Sequence, residues 1–206
     1  MTCVKLWLGF GLLAVGCRQP DRQPSVEPSA QPSPMRSSEV ASSASKSAEL
    51  RPPGCVVPMS ESPAPAASRA ESCPASPEPG PKLARGLVTF QDAPAHPQVQ
   101  VELAANDGTR QRGLMYRTTL GAEEGMLFSW EVEEPRVFWM HNTCLPLDML
   151  FVARDGTIAG VLEQVPVLND APRSVACPAA YVLEVNAGWV RGHGVNPGQH
   201  LAISLP

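Results

Sequence analysis

Residues 137–152 read VFWMHNTCLPLDMLFV and decide the fold. The stretch begins as an apolar strand, is interrupted by three polar residues (141–143), passes a proline and resumes as a second apolar strand. The second strand leads into Asp155 and Gly156. An Asp-Gly pair between apolar runs is a strong hairpin signal, because both central residues of the favoured turn need positive φ. The polar interruption is therefore either a buried cap or the wall of a site.

The rest of the C-terminal half is also predicted to form strands. Alternating or dense apolar runs recur at residues 99–103, 125–130, 136–140, 157–165, 180–185 and 201–205. Short helical turns are expected after Asp107 or Thr109, either of which could cap one, and near residues 187–193. Seven or eight short strands with little helix predict an all-β fold, either a small antiparallel sandwich or a closed barrel with one or two short helical turns.

The N-terminal residues indicate export. An apolar run follows Lys5, and it is too short to span a bilayer, so residues 1–16 are interpreted as a signal peptide. The run ends at Cys17 in a pattern that resembles a bacterial lipobox, in which the cysteine becomes the lipidated N-terminus. The alternative is an ordinary secretory signal with a chance cysteine. Arg18 stands where aspartate would favour retention at the inner membrane, so we expect a lipid-anchored protein of the cell envelope, at the outer membrane rather than the inner.

Residues 17–85 are predicted to be a disordered tether. Fourteen of the 23 prolines and as many serines lie between positions 18 and 85, without any Phe, Trp, Tyr or His. Such a composition buries too little apolar surface to offset its chain entropy. A chain of this length spans about 45 Å as a random coil. The alternative is a proline-rich peptide ligand.

Residues 86–206 are predicted to form one globular β domain. They carry seven arginines, no lysine and thirteen acidic residues, a net charge of −6, which argues against nucleic acid as a partner. In an exported protein the four cysteines of the mature chain beyond Cys17 are disulfide candidates. Three pairings are open, and the division into tether and domain favours Cys55–Cys73 and Cys144–Cys177.

Several separate motifs of this domain resemble one known family. They are RGLMYR at 112–117, GMLF at 125–128, FWMHNT at 138–143, PLD at 146–148, DG at 155–156 and YVLE at 181–184, followed by Gly188, His193, Gly194 and Gly198. Together they resemble the bacterial and archaeal family known as domain of unknown function 192. The resemblance covers about residues 99–205. It implies a small, largely antiparallel β domain, often exported, whose biochemical role is not established.

A ligand site is hypothesised around the interrupted stretch. Asp148 begins a strand that is apolar on both faces, and a buried carboxylate must be paired or accept several hydrogen bonds. We expect its partners among Arg112, Arg117, Asn142 and Thr143, as a structural cap or at the mouth of a pocket. An arginine offers a planar fork for a carboxylate, a phosphate or a sugar hydroxyl. These residues, with Trp139 as a stacking wall, are predicted to bind a small or extended envelope ligand, a glycan or a peptide.

Three alternatives stay open. A hydrolase would use Asp148 or His141 as base, and it needs a raised carboxylate pKa or a histidine oriented by a second acid. A copper(I) protein would draw on soft ligands from Met115, Met126, Met140, Met149, His141, His193 and Cys144. A purely structural envelope protein would use none of these groups. The leading interpretation requires no cofactor and no metal.

Overall fold

The computed structural model describes residues 54–206. The signal peptide, Cys17 and the first part of the predicted tether lie outside the described residues. Among residues 54–206, no helix is both long and apolar enough to cross a membrane.

The described chain forms seven strands and two short helices. The strands are β1 (Arg85–Phe90), β2 (Gln98–Ala104), β3 (Glu124–Glu134), β4 (Leu147–Val152), β5 (Ile158–Val165), β6 (Ala179–Asn186) and β7 (Leu201–Ser204), and the helices are α1 (Asp107–Arg112) and α2 (Trp189–Gly192). One sheet contains all seven strands in the order β5-β4-β6-β3-β2-β1-β7. Neighbouring strands are antiparallel except β2 and β3, which are parallel. The all-β prediction with one or two short helical turns is confirmed.

The sheet curls into a half-barrel whose two edge strands meet at one end. The Ile158 amide donates to the Gln199 carbonyl (2.9 Å), and the Leu201 amide donates to the Gly156 carbonyl (2.9 Å). Gly156 has φ 89°, and a Cβ there would lie 2.4 Å from the Leu201 carbonyl oxygen. Glycine is therefore required both by the β4–β5 turn and by the close approach of β7. The hairpin predicted from this pair is confirmed.

The core lies on both faces of the sheet. All six residues of β4 are buried, with Leu150 and Val152 in one hydrophobic cluster and Met149 and Phe151 in the other. The strand predicted at residues 136–140 is wrong, since this segment makes only one bridge, between Phe138 and Arg173. Its partner is a loop residue rather than a strand, so pairing does not propagate.

Residues 55–84, which we call the strap, are not the disordered tether that the composition predicts. They contain no helix or strand, but they lie on the domain, and two disulfides attach them to it. Backbone contacts join them to the domain as well, including the Val57 amide to the Ala159 carbonyl (2.8 Å). Composition predicts that this segment buries too little apolar surface to become ordered. It takes no account of the disulfides, which reduce the conformational entropy of the unfolded chain and so reduce the cost of ordering the strap.

All four predicted cysteines form disulfides, but the favoured pairing is wrong. Cys55 bonds to Cys177 and Cys73 bonds to Cys144, so each bond joins the strap to the domain. The Cα–Cα distances of 5.7 and 5.6 Å are typical of disulfides. The division into tether and domain predicts pairs within each segment, but the path of the strap brings each of its cysteines beside a buried cysteine of the domain.

Candidate functional site

Asp148 is fully buried near the start of β4. Its Oδ2 accepts from the backbone amides of Gly188 (2.9 Å) and Val190 (3.1 Å), and its Oδ1 accepts from the amide of Gln164 (2.9 Å). Gly188 precedes α2 with φ 85°. The carboxylate of β4 therefore caps the first turn of α2 and ties β5 to the same point.

The partners predicted for Asp148 are wrong, because they were expected to be side chains and are backbone amides. Three backbone amides surround the carboxylate, whereas Arg112, Arg117, Asn142 and Thr143 make other contacts. Burial raises the pKa of Asp148, the three amide hydrogen bonds oppose that rise, and the charge of Glu163 adds to it. Of the two roles that the sequence leaves open, the geometry is that of a structural cap. Backbone donors leave no mark in the side-chain pattern, so the sequence could not identify them.

The two arginines of the predicted site lie in different environments. Arg117 forms an ion pair with Glu102 of β2. Arg112 lies at the end of α1, and its guanidinium stacks on the ring of Tyr116 at 4.5 Å. Its Nη2 also donates to the strap, to Ser76 Oγ (2.5 Å) and to the Glu78 carbonyl (3.3 Å). Both arginines line the same cleft beside the strap, but Arg117 is held by Glu102 whereas Arg112 contacts the strap.

The polar interruption is a strained turn joined to Tyr116. Asn142 and Tyr116 have φ of 51° and 65°, values that residues other than glycine rarely adopt. The Tyr116 amide donates to the Asn142 carbonyl (2.8 Å), and Asn142 Nδ2 donates to the Tyr116 hydroxyl (2.8 Å). Thr143 is buried and donates to the His141 carbonyl (3.2 Å). Asn142 thus holds Tyr116, which the sequence interpretation missed, against the arginine.

A cleft lined by aromatic side chains lies beside α1 and is a candidate ligand site. It has a volume of about 330 Å³. Its apolar wall contains Phe128, Trp130, Phe138 and Trp139, and its polar wall contains Asp107, Arg110 and Gln111 of α1. We call it the aromatic cleft.

The walls of the aromatic cleft are fixed by their own contacts. Trp130 and Phe138 meet edge to face, with ring centroids 6.1 Å apart. Arg136 and Arg110 lie over the Trp130 ring at 4.3 and 5.4 Å. Trp139 remains 48% exposed. Of these residues only Trp139 was predicted for the site, because the others come together from α1, β3 and the segment before β4.

His141 lies next to this cleft. Its ring stacks on Trp139 with centroids 5.0 Å apart, and its Nδ1 is 2.8 Å from Asp170 Oδ1. A histidine oriented by an acid, which the hydrolase alternative requires, is therefore present. Asp148 does not share that role, because both its oxygens already accept backbone hydrogen bonds.

The copper(I) alternative loses its strongest ligand. Cys144 is bonded to Cys73, so it cannot supply a thiolate. Met126, Met140 and Met149 are fully buried in one hydrophobic cluster. Within residues 54–206, no group of three or more His, Cys, Asp or Glu side chains is arranged to hold a metal ion.

Glu184, the last residue of the YVLE motif, is a second buried acid, and neither Arg112 nor Arg117 pairs with it. It lies in β6, opposite Met126 of β3 and Met149 of β4, and is 4% exposed. Its backbone pairs with both strands, but among residues 54–206 its carboxyl group has no hydrogen-bond or ion-pair partner. Burial raises its pKa from the ordinary 4.5 to about 8. The alternation of β6 could have flagged it, because both neighbouring strands are apolar at that position.

The six predicted ligand residues therefore do not form one site. Asp148 lies inside the fold, and Arg117 is paired with Glu102. Arg112 and Arg117 line one cleft, and Asn142 hydrogen-bonds to Tyr116 in its wall. Trp139 lines the aromatic cleft on the other side of α1. Thr143 only shapes the turn.

The curled sheet and its short helices define a small half-barrel β domain with a cleft on each side of α1. Residues 88–203 match the model of domain of unknown function 192, described as Uncharacterized ACR, and the chain belongs to this family. The predicted resemblance is confirmed, and with it the statement that this is a β domain without an established biochemical role.

Two solved structures are similar to this chain. One, from Sinorhizobium meliloti 1021, is described as a proposed transcription regulator; it is 40% identical, with a TM-score of 0.57, over 60% of this chain and 96% of that protein. The other is a protein of unknown function from Novosphingobium aromaticivorans DSM 12444, 31% identical with a TM-score of 0.56 over 65% of this chain and 94% of that protein. No functionally curated protein shows significant similarity.

Proposed function

We propose that this protein is a glycan-binding module carried on a lipid anchor at the cell envelope. The observation that carries the proposal is the aromatic cleft, where an exposed tryptophan stands opposite a row of polar side chains on α1. Ligand sites are typically concave and apolar, with a few well-placed polar groups that set orientation.

The two walls suit the two surfaces of a sugar ring. The C–H face of a pyranose packs on an aromatic ring, and Trp139 offers a half-exposed ring for such a contact. Sugar hydroxyls donate and accept hydrogen bonds, and Asp107, Arg110 and Gln111 supply both kinds of partner. Because Asp107 and Arg110 form an ion pair with each other (2.6 Å), their charges offset, which favours a neutral sugar.

Arg110 is already held in place before any ligand binds. Its Nη1 donates to the carbonyls of Ala105 (2.6 Å) and Ser129 (2.8 Å), and its Nη2 donates to Asp107 Oδ1 (2.6 Å). A side chain fixed in this way loses little further rotational freedom on binding, which favours affinity.

Isothermal titration calorimetry with neutral hexose and N-acetylhexosamine oligosaccharides tests the proposal. We expect binding by the wild type and an affinity at least tenfold weaker for Trp139→Ala. Val132→Ala is the matched control, because Val132 is 63% exposed but does not line the cleft. Absence of binding across the whole set, or equal binding by Trp139→Ala, would refute the glycan site.

The anchoring half of the proposal is tested separately. The lipobox-like sequence at Cys17 and the proline-rich segment after it support a domain carried away from a membrane. Cys17→Ser should release the protein from the membrane fraction into the soluble envelope fraction. Continued membrane association of that variant would contradict the lipid anchor without affecting the glycan site.

A hydrolase acting on the bound glycan is the second candidate, and the His141–Asp170 pair favours it. An acid-oriented histidine beside a sugar-binding tryptophan is suited to general base catalysis. Incubation with the oligosaccharide that binds best, followed by mass spectrometry, tests it. Cleavage that His141→Ala abolishes, with binding retained, would establish the enzyme; an intact oligosaccharide would leave binding as the function.

A further inference from the structure

The strap forms one wall of a second cleft, on the opposite side of α1 from the aromatic cleft. This cleft has a volume of about 220 Å³. Pro79, Gly80 and Pro81 of the strap form one wall, and Arg112, Met115 and Tyr116 form the other. We call it the Arg112 cleft.

The strap segment has the properties of an extended peptide ligand. Residues 74–83 read PASPEPGPKL, with four prolines, and contain no helix or strand. Proline-rich segments adopt polyproline II conformation without internal hydrogen bonds, so they lose little entropy when they bind. Grooves that recognise them are lined by aromatic side chains.

On the domain side, one arginine donates hydrogen bonds to two oxygen atoms of this segment. Arg112 Nη2 donates both to the Ser76 hydroxyl and to the Glu78 carbonyl, two residues further along. The guanidinium lies on the Tyr116 ring at 4.5 Å, and Tyr116 is held by Asn142. Asn142 and Tyr116 both adopt positive φ, and strain of this kind persists only where the surrounding structure enforces it.

We propose that the domain wall of the Arg112 cleft is a peptide-binding surface for extended, proline-containing segments, and that residues 76–81 of this chain are its resident ligand. The strap lies outside the family match, which begins at residue 88. The residues that hold it lie within that match. The resident segment therefore competes with any proline-rich peptide from another chain.

The Cys73–Cys144 bond strengthens this self-occupation by shortening the free chain. With the bond, the nearest covalent attachment is Cys73, 12 positions before the start of β1 at Arg85 (85 − 73). Without it, the nearest covalent attachment is Cys55, 30 positions before Arg85 (85 − 55). The three-halves power of that ratio gives about a fourfold loss of occupancy when the bond is removed. The contacts of Arg112 add about a fivefold preference, as expected of a charge-assisted hydrogen bond that is partly exposed.

Cleavage of the full chain by a lysine-specific endoprotease measures the occupancy. Lys82 is exposed, but a protease needs an extended segment free of the domain, so the rate of cutting after Lys82 follows the released population. We expect cutting about fourfold faster in Cys73→Ser and about fivefold faster again in Cys73→Ser/Arg112→Ala. Arg154→Ala in the Cys73→Ser background is the control, because the Arg154 guanidinium bonds to the carbonyls of Trp130 and Glu131 and does not line the Arg112 cleft.

Binding of a separate peptide tests whether the domain recognises the segment when it is not covalently connected. A spin-labelled synthetic peptide PASPEPGPKL should broaden the amide resonances of Gly113 and Tyr116 in Cys73→Ser. The same resonances should be unchanged in Cys73→Ser/Arg112→Ala. Unchanged resonances of β4 and β6 in each variant confirm that the domain is folded. The proposal is overturned if Arg112→Ala has no effect on cutting, or if the peptide does not bind or binds without Arg112.

Discussion

Replacing Glu184 by glutamine should remove most of the pH dependence of this domain's stability between pH 5 and 9. The side chain is buried in the centre of the sheet, and no partner among residues 54–206 compensates an ionised carboxylate. Burial raises its pKa from 4.5 to about 8. Between those two values the folded protein therefore binds more protons than the unfolded chain.

The sign and size of the effect follow from this difference. Stability from the protonated carboxyl is fully present below about pH 4.5 and is lost as pH rises through about 8, so the free energy of unfolding falls over that window. The interval is 3.5 pH units (8 − 4.5), and at about 1.4 kcal/mol per unit the loss is up to about 5 kcal/mol. Domains are typically stable by about 5–15 kcal/mol, so the wild type should be markedly weakened at pH 9.

Urea unfolding followed by tryptophan fluorescence at pH 5, 7 and 9 measures this dependence. Glu184→Gln should be close to the wild type at pH 5 and several kcal/mol more stable than the wild type at pH 9. A smaller dependence of the same sign should persist in the variant, because burial also raises the pKa of Asp148. Glu131→Gln, an exposed position on β3, is the control. A wild type equally stable at pH 5 and pH 9 would refute the reasoning.

Two further predictions concern the contacts that hold the fold together. Asp148→Asn should lower the free energy of unfolding by about 2–4 kcal/mol, because one amide oxygen cannot accept all three backbone hydrogen bonds; unchanged stability in urea at pH 7 would contradict the cap. Replacing both Cys55 and Cys177 by serine should lower stability by about 5 kcal/mol, given their separation of 122 residues. Thermal unfolding of the purified, oxidised protein measures that loss, and an unchanged melting temperature would show that the bond constrains nothing.

Local pattern was sufficient for most of the strands, but it missed β1, predicted a strand at residues 136–140 that does not form, and did not locate the site. The Asp155-Gly156 hairpin and the two-faced burial of β4 follow from the residues within each element, because neighbouring backbone geometry sets which face a side chain takes. Asp148 was recognised as a buried acid that needs partners. Those partners are amides of β5 and α2, which carry no side-chain signature.

The sequence by itself determined an all-β domain, its family, the buried strand with its acid, and the four cysteines that form disulfides. Tertiary structure alone decided that each disulfide joins the strap to the domain, that Trp139 and Arg112 belong to separate clefts, and that Glu184 has no partner within residues 54–206. The physical reason is the distance along the chain between the residues that make contact. Periodicity records contacts between residues close in the chain, whereas these pairings depend on how the curled sheet brings distant segments together.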